Sequence, residues 1–201
     1  MSGVMEKVIV HIIDISFIKD NESFIMSYVD SKRREKALKF VHENDRLLSL
    51  GAGYLLKKYL HEGDINISPS GKPYLSDGPF FNLAHSGEYV ILVVHPTREV
   101  GVDIEKIDES KKAAVEYVLN EEEKKVKDLN DLFQIWTNKE SLIKCTSVGI
   151  KDIKKAPGYP LTGIKIFNEE EFYNKSLIYN GYSISVTLKE KQSFEIELNK
   201  N

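Results

Sequence analysis

The sequence predicts an α+β fold of two similar halves, residues 1–99 and 100–201, each a small antiparallel sheet packed with helices. Three observations support this prediction. The order strand, helices, strands occurs twice along the chain. Pro96 to Arg98 break the chain between the two occurrences. A length of 201 residues with 41% hydrophobic residues is sufficient to bury a core without disulfides.

The individual elements follow from hydrophobic spacing. Strands are expected where β-branched and apolar residues cluster or alternate: 8–15, 80–83, 89–94, 100–107, 163–167, 176–178, 182–188 and 194–198. Helices are expected where apolar residues recur every three or four positions: 23–28, 30–41, 45–60, 110–119, 120–129 and 132–145. Gly51 and Gly53 are unfavourable inside the third of these helices. Proline and glycine over 68–79 predict turns.

Composition narrows the class of protein. The net charge of −3 disfavours a generally basic nucleic-acid binder. Cys145 is the single cysteine, so no internal disulfide can form and a reducing compartment is expected. The first apolar run is short, is interrupted by His11 and Asp14, and precedes no small-residue cleavage site. We therefore expect a cytoplasmic protein whose partners include neither nucleic acid nor membrane.

An acidic pair stands on the strand predicted at 100–107. Asp103 and Glu105 are two residues apart, so both carboxylates point to the same side of that strand. Two like charges on one face need compensation by water, a basic partner or a cation such as Mg²⁺, which prefers carboxylate oxygens and often bridges to phosphate. The alternative interpretation is an ordinary exposed strand face.

A second motif, Trp136-Thr-Asn-Lys-Glu-Ser-Leu-Ile-Lys144, lies on the helix predicted at 132–145. Glu140 and Lys144 are four residues apart and therefore lie on the same helix face. They could form a simple surface ion pair. They could also supply a third metal carboxylate and a cation for a phosphate oxygen. Spacing alone does not bring Glu140 to the acidic pair.

Basic residues in the first half offer candidate anion sites. Gly71-Lys72-Pro73 is a rigid turn with one cation, and His85 stands at a strand end. Arg33 and Lys36 belong to a lysine- and arginine-rich segment, and guanidinium groups suit phosphates. Each could equally be a solvated or packing residue. A serine hydrolase centred on His85 and its neighbouring serine is disfavoured because no Gly-x-Ser-x-Gly segment exists.

Together these segments resemble the 4'-phosphopantetheinyl transferases, specifically the larger, monomeric Sfp type. The likeness rests on segments that occur in the family's order: 33–40 with 45–46, 71–73, 81–86, 100–105 and 136–144. The most specific are Gly-Val-Asp-Ile-Glu and Trp-x-x-Lys-Glu-x-x-x-Lys at the correct separation. The resemblance implies a pseudo-two-fold protein with coenzyme A between the halves.

The resemblance also implies roles for individual residues. It assigns Mg²⁺, or Mn²⁺, to three carboxylates: Asp103, Glu105 and Glu140. It assigns coenzyme A to a set of residues in both halves: Arg33, Lys36, Lys72, His85, Asp103 and Lys144. The catalytic residues would be Glu105, Lys144 and a general base, Glu122, with Glu121 as its rival. The expected reaction transfers phosphopantetheine from coenzyme A to an acyl or peptidyl carrier protein, catalysed by a monomer.

Two positions depart from the family pattern. Ala84 replaces the usual serine, so loss of one hydroxyl contact is expected, and Ser147 replaces a usual glycine after the tryptophan helix.

Two other functions stay open. One is a non-catalytic module that binds coenzyme A or a carrier protein, although such a module could dispense with the acids. The other is a magnesium phosphohydrolase or nucleotidyl transferase, disfavoured because no Walker-type glycine loop is present.

Overall fold

The computed structural model describes residues 5–60 and 65–200. Within them, the strands are β1 Glu6–Asp14, β2 Ile65–Ile67, β3 Pro73–Leu75, β4 Phe80–Ser86, β5 Tyr89–His95, β6 Val100–Lys106, β7 Thr162–Phe167, β8 Glu170–Tyr179, β9 Tyr182–Leu188 and β10 Phe194–Lys200. The helices are α1 Ile15–Asp20, α2 Glu22–Tyr28, α3 Ser31–Leu38, α4 Glu43–Leu60, α5 Lys112–Tyr117 and α6 Leu129–Thr146. Short 3₁₀ turns occur at Glu109–Lys111, Glu123–Lys125 and Ile150–Asp152.

Two four-stranded sheets form the body of the protein. The first has the order β10-β1-β5-β4 and the second the order β6-β9-β8-β7, while β2 and β3 form a separate hairpin. All pairings are antiparallel except β1 with β10, which is parallel and begins at Glu6 opposite Phe194. The predicted α+β class is therefore confirmed, but the first sheet is not wholly antiparallel. The last described strand also lies in the sheet of the first half.

The core consists of successive layers. Helices α1 to α4 pack on one face of the first sheet, where Ile13, Val90 and Leu92 join their apolar residues. The opposite face of that sheet packs against β6 and β9 of the second sheet, and we call this region the inter-sheet core. Helix α6 covers the outer face of the second sheet, and α5 packs against α6. None of the helices within 5–60 and 65–200 combines the length and apolar character needed to cross a membrane.

Helix α4 contains both of the glycines that weakened its prediction, and the packing explains them. A Cβ at Gly53 would lie 2.4 Å from Cγ of Arg33, because the arginine stem of α3 crosses α4 at this point. A Cβ at Gly51 would lie 3.2 Å from Cγ2 of Val90 on β5. Close approach of neighbouring elements thus outweighs the helix propensity lost at these two positions.

Some predicted elements were wrong. The helix predicted at 120–129 is absent: a 3₁₀ turn at Glu123–Lys125 occurs there, and α6 begins only at Leu129. The predicted turn region 68–79 contains β3. The strand predicted at 176–178 extends over Glu170–Tyr179, and the structure adds α1, which the sequence did not indicate. In these segments the conformational propensity of the local sequence did not predict the structure, because contacts with the rest of the fold determine it.

Candidate functional site

The two sheets meet where β4 lies beside β6. Asn82 Oδ1 accepts a hydrogen bond from the backbone N–H of Val102 at 2.9 Å, and Ser86 Oγ accepts one from the N–H of Lys106 at 3.1 Å. Ser86 Oγ also donates to Glu105 Oε2 at 2.9 Å. Side chains of β4 thereby satisfy backbone donors of β6 that its own sheet does not use. This junction holds the acidic strand against the His85 strand.

The glycine of the Gly-Val-Asp-Ile-Glu segment brings α6 close to β6. A Cβ at Gly101 would lie 2.0 Å from the carbonyl oxygen of Ser141 and 2.5 Å from the backbone nitrogen of Cys145. Both of these atoms belong to the α6 backbone and cannot rotate away. The absence of a side chain at Gly101 therefore allows the acidic strand and the tryptophan helix to approach each other, which spacing alone did not predict.

Helix α6 rests on β9 through hydroxyl groups in a buried interface. Thr137 Oγ1 lies 2.8 Å from Ser183 Oγ and 2.7 Å from Ser185 Oγ. Ser141 Oγ lies 2.8 Å from Thr187 Oγ1. These hydrogen bonds are directional, and each needs a particular partner. They therefore favour the observed position of α6 on β9 over positions in which the helix is shifted along its axis.

Asp103 and Lys144 form an ion pair between β6 and α6, in which Asp103 is buried and Lys144 is half-buried. Lys144 Nζ donates to Asp103 Oδ1 at 2.5 Å. The other oxygen of Asp103, Oδ2, is buried and has no hydrogen-bond partner among the described residues. Burial raises the pKa of Asp103 to about 7 against the opposing charge of Lys144. Burial alone would lower the pKa of Lys144, but the hydrogen bond to Asp103 and the negative charges of Asp103, Glu140 and Glu105 together raise it.

Glu140 and Glu105 complete the acidic site. Burial raises the pKa of Glu140, and the charge of Glu105 raises it further although Lys144 opposes both. Glu105 is partly exposed and lies 3.5 Å from Lys111 Nζ. The charges of Glu140 and Glu105 also raise the pKa of Asp103. The structure therefore places the three predicted carboxylates in one electrostatic environment around Lys144.

The chemistry of these three carboxylates decides whether they could hold a metal ion. Among residues 5–60 and 65–200, no three acidic, histidine or cysteine side chains are arranged to hold an ion. The donors nevertheless have suitable chemistry, because magnesium prefers carboxylate oxygens. The buried Oδ2 of Asp103 has no partner among the described residues, and the surplus negative charge around it would be relieved by a cation.

A cavity of about 290 Å³ opens beside Lys144 and Glu140 and is also lined by Lys72, Asn82 and Leu83. Lys72 comes from the turn before β3, and its Nζ donates to the carbonyl oxygen of Cys145 at 3.0 Å. Burial lowers the pKa of Lys72. Lys72 therefore contacts the last turn of α6 as well as the cavity, a position that favours a cation.

A basic pocket of about 190 Å³ lies on the other side of Leu83, which lines both cavities. Three of its lining residues are the predicted anion ligands Arg33, Lys36 and His85. Burial lowers the pKa of Arg33. Much of the His85 side chain is exposed, but its partial burial lowers its pKa, and the charge of Lys144 adds to this effect. Three of the residues predicted to bind phosphate in the first half thus lie together, next to the acidic site.

The three consecutive glutamates separate into two environments. Glu122 is 78% exposed and pairs with Lys125 at 2.7 Å, and Glu121 pairs with Lys124 at 2.5 Å. Glu123 is 1% exposed and pairs with Lys139 at 2.9 Å. No hydrogen bond or ion pair in the described part of the chain joins Glu122 to the acidic site. Its role as general base stays a prediction.

The two departures from the family pattern have structural explanations. Ala84 is packed in the inter-sheet core, on the same side of β4 as Asn82 and Ser86. Alanine at this position therefore packs in an apolar environment, and the expected loss of one hydroxyl contact stays a prediction. Ser147 ends α6 in the left-handed conformation with φ of 60°, which glycine adopts at lower cost. The helix therefore ends in a left-handed conformation at a residue that is less suitable for it than glycine.

Sequence reasoning missed several residues that build the site. Asn82 and Ser86 lay within the segment that carried the resemblance, but only His85 was assigned a role there. Their alternation with Leu83 and His85 along a strand was the available signal. Lys139 of the tryptophan motif was also overlooked, because full burial of a lysine is rarely expected.

Comparisons with known proteins agree with this architecture. A model of the 4'-phosphopantetheinyl transferase superfamily matches residues 99–195, the part that carries Asp103, Glu105, Glu140 and Lys144. The 4'-phosphopantetheinyl transferase gsp of Aneurinibacillus migulanus is 30% identical over 146 residues, which are 64% of this chain and 60% of that protein.

Further similarity extends into the first half. The 4'-phosphopantetheinyl transferase Sfp of Bacillus subtilis (strain 168) is 30% identical over 149 residues, 66% of each chain. The L-aminoadipate-semialdehyde dehydrogenase-phosphopantetheinyl transferase of Xenopus laevis is 30% identical over 102 residues, 40% of this chain and 34% of that protein. The chain thus spans less than two thirds of the length of these curated relatives. Residues 99–195 match the 4'-phosphopantetheinyl transferase superfamily, and the chain is similar to relatives of the Sfp type.

Proposed function

We propose that this chain is a magnesium-dependent enzyme that transfers 4'-phosphopantetheine from coenzyme A to a serine of an apo carrier protein. The serine oxygen forms a bond to the β-phosphorus as the bond from that phosphorus to the bridging oxygen breaks. The products are phosphopantetheinyl-serine and 3',5'-ADP, and the serine proton passes to a base. Acyl and peptidyl carriers of fatty acid, polyketide or nonribosomal peptide synthesis are the proposed acceptors.

The observation that carries this proposal is the adjacency of two unlike sites. The basic pocket of Arg33, Lys36 and His85 and the cavity with Glu140 and Lys144 share Leu83 as a common wall. A ligand with a terminal phosphate monoester and an internal diphosphate would place one group in each site. Coenzyme A has this arrangement, and charge-assisted hydrogen bonds suit both of its phosphate groups.

The residues of the chain would have the following roles in binding and catalysis. Arg33, Lys36 and His85 hold the 3'-phosphate and nucleotide. Lys144 contacts the diphosphate and offsets charge that develops during phosphoryl transfer. Three residues would hold the metal: Asp103, Glu105 and Glu140. Magnesium, when bound, would neutralise diphosphate oxygens and polarise the phosphoryl group.

Glu122 is the proposed general base. Its carboxylate is exposed and bound to Lys125, so it would have to leave this ion pair to accept the serine proton. An exposed pair of this kind is weak, typically contributing less than about 1 kcal/mol, so such a change costs little. Glu121 has an equivalent environment and stays a rival.

Intact-mass measurement tests the proposal. The protein is incubated with coenzyme A, Mg²⁺ and a panel of apo acyl and peptidyl carrier proteins. We expect one carrier to gain the mass of a single phosphopantetheine, with 3',5'-ADP as the second product. Binding of coenzyme A without any mass gain would favour a non-catalytic module. Release of phosphate from coenzyme A without carrier modification would indicate a phosphohydrolase.

Arg33→Ala should weaken binding of coenzyme A by about tenfold or more, because one charge-assisted hydrogen bond contributes about 1.5–3 kcal/mol. Titration calorimetry measures this loss. If the guanidinium binds the 3'-phosphate, the loss should largely disappear with dephospho-coenzyme A. Arg34→Ala is the matched control, since Arg34 lies on the same helix but lines neither cavity. Equal losses for both arginines would contradict the assignment.

A further inference from the structure

The segment from Ser147 to Lys155, which follows α6, has an anchored inner face. Ile153 is buried, as is Ala156 immediately after the segment. The carbonyl oxygens of these two residues accept hydrogen bonds from Lys139 Nζ at 3.4 and 2.5 Å. Lys139 is itself fully buried and paired with Glu123. The lysine of the tryptophan motif therefore fixes this segment in place.

The outer face of the same segment carries apolar side chains in solvent. Val148 is 38% exposed and Ile150 is 56% exposed. A segment that is held rigidly while presenting aliphatic groups outward has a feature typical of binding surfaces. Neither side chain belongs to the described hydrophobic clusters.

Positively charged residues follow these apolar residues in the chain. The segment contains Lys151, Lys154 and Lys155 against one acid, Asp152, whereas the whole chain has a net charge of −3. Lys155 is already paired with that acid at 2.7 Å. Lys154 Nζ lies 3.6 Å from the ring centre of Tyr117, which is 72% exposed. We call Val148, Ile150, Lys151 and Lys154 the rim.

The rim borders the acidic site. Ser147, Gly149 and Ile150 line the cavity that also contains Glu140 and Lys144. An acceptor serine carried on another protein must reach this cavity from outside. The surface around that serine would therefore contact the rim as it approaches.

We propose that the rim is the docking surface for the carrier protein, and that it recognises an apolar patch flanked by acidic side chains near the acceptor serine. This inference rests on the proposed transfer reaction and specifies its partner. Complementary charge steers a partner toward the site and raises the association rate, while the aliphatic groups exclude water from the contact.

The test uses the full chain with an apo acyl carrier protein as acceptor. Lys151→Glu/Lys154→Glu should raise the KM for the carrier by about tenfold, because like charges would then face each other. The KM for coenzyme A and kcat should stay unchanged. Added sodium chloride should lower kcat/KM of the wild type for the carrier and have little effect on the variant. Val148→Ser should raise the same KM without any charge change.

Lys127→Glu/Lys200→Glu is the matched control, because it makes the same charge change at lysines outside the cavities. The docking inference fails if the rim variants and the control change the carrier KM equally, or if neither changes it, while wild-type transfer continues. In that case the proposed function stands. If the wild type binds coenzyme A but modifies no carrier, the proposed function fails and the docking inference fails with it.

Discussion

Asp103→Asn is expected to reduce phosphopantetheine transfer by about 1000-fold, the scale of the several kcal/mol that a metal-centred charge interaction contributes. Asparagine keeps the size of the side chain but removes the charge that would bind the metal. The fold should persist, because Lys144 still has Glu140 and Glu105 nearby and repulsion among the acids is reduced. Carrier modification is followed by intact mass and folding by circular dichroism.

Asp108→Asn supplies the control for that substitution. Asp108 follows β6 and caps the next 3₁₀ turn through the N–H of Ser110, and asparagine caps a turn equally well. It should therefore retain both fold and activity. If Asp103→Asn keeps transfer within a few-fold of the wild type at saturating Mg²⁺, the assignment of Asp103 to the metal is rejected.

Gly101→Ala is expected to lower the free energy of unfolding by about 3 kcal/mol, the upper range for overpacking by one methyl group. The new Cβ would lie within 2.0 Å of one α6 backbone atom and 2.5 Å of another, so the whole helix must move. That movement would separate Lys144 from Asp103. We expect a thermal midpoint lower by about 6–12 °C and loss of transfer even at temperatures where the variant is folded.

Gly51→Ala makes the same chemical change in a different environment. Its Cβ would meet a side-chain methyl of Val90 at 3.2 Å, and alanine favours a helix more than glycine does. We expect a small change in stability of either sign and unchanged transfer. Equal destabilisation by both substitutions, measured by urea unfolding, would show that the α6–β6 approach is not specially tight.

Local spacing predicted some parts of the site correctly. The alternation along β6 placed Asp103 and Glu105 on one side, and the four-residue interval placed Glu140 with Lys144. Each of these inferences concerns one element and depends only on its own periodicity. The meeting of the two elements depends on contacts between residues far apart in the chain, which periodicity does not encode. Gly101 controls that approach, and its importance becomes visible only with α6 beside it.

The same distinction explains the errors. Residues 120–129 are rich in good helix formers, yet Glu123 turns inward to pair with Lys139 and the chain forms a short 3₁₀ turn. A buried ion pair thus outweighed local propensity. In the sequence, nothing distinguished Lys139 from the other charged residues of the tryptophan motif. Its partner lies on a different element of the fold, so no local pattern revealed it.

The parallel pairing of β10 with β1 affects how the protein can fold. Until Phe194 and its neighbours reach the first sheet, β1 has an unpaired edge, even though every helix that covers that sheet has already been synthesised. Closing such a long sequence separation is slow and leaves an edge open to association with other chains. Removal of β10 should therefore expose the first half to aggregation, while β6 with Asp103 and Glu105 stays paired within the second sheet.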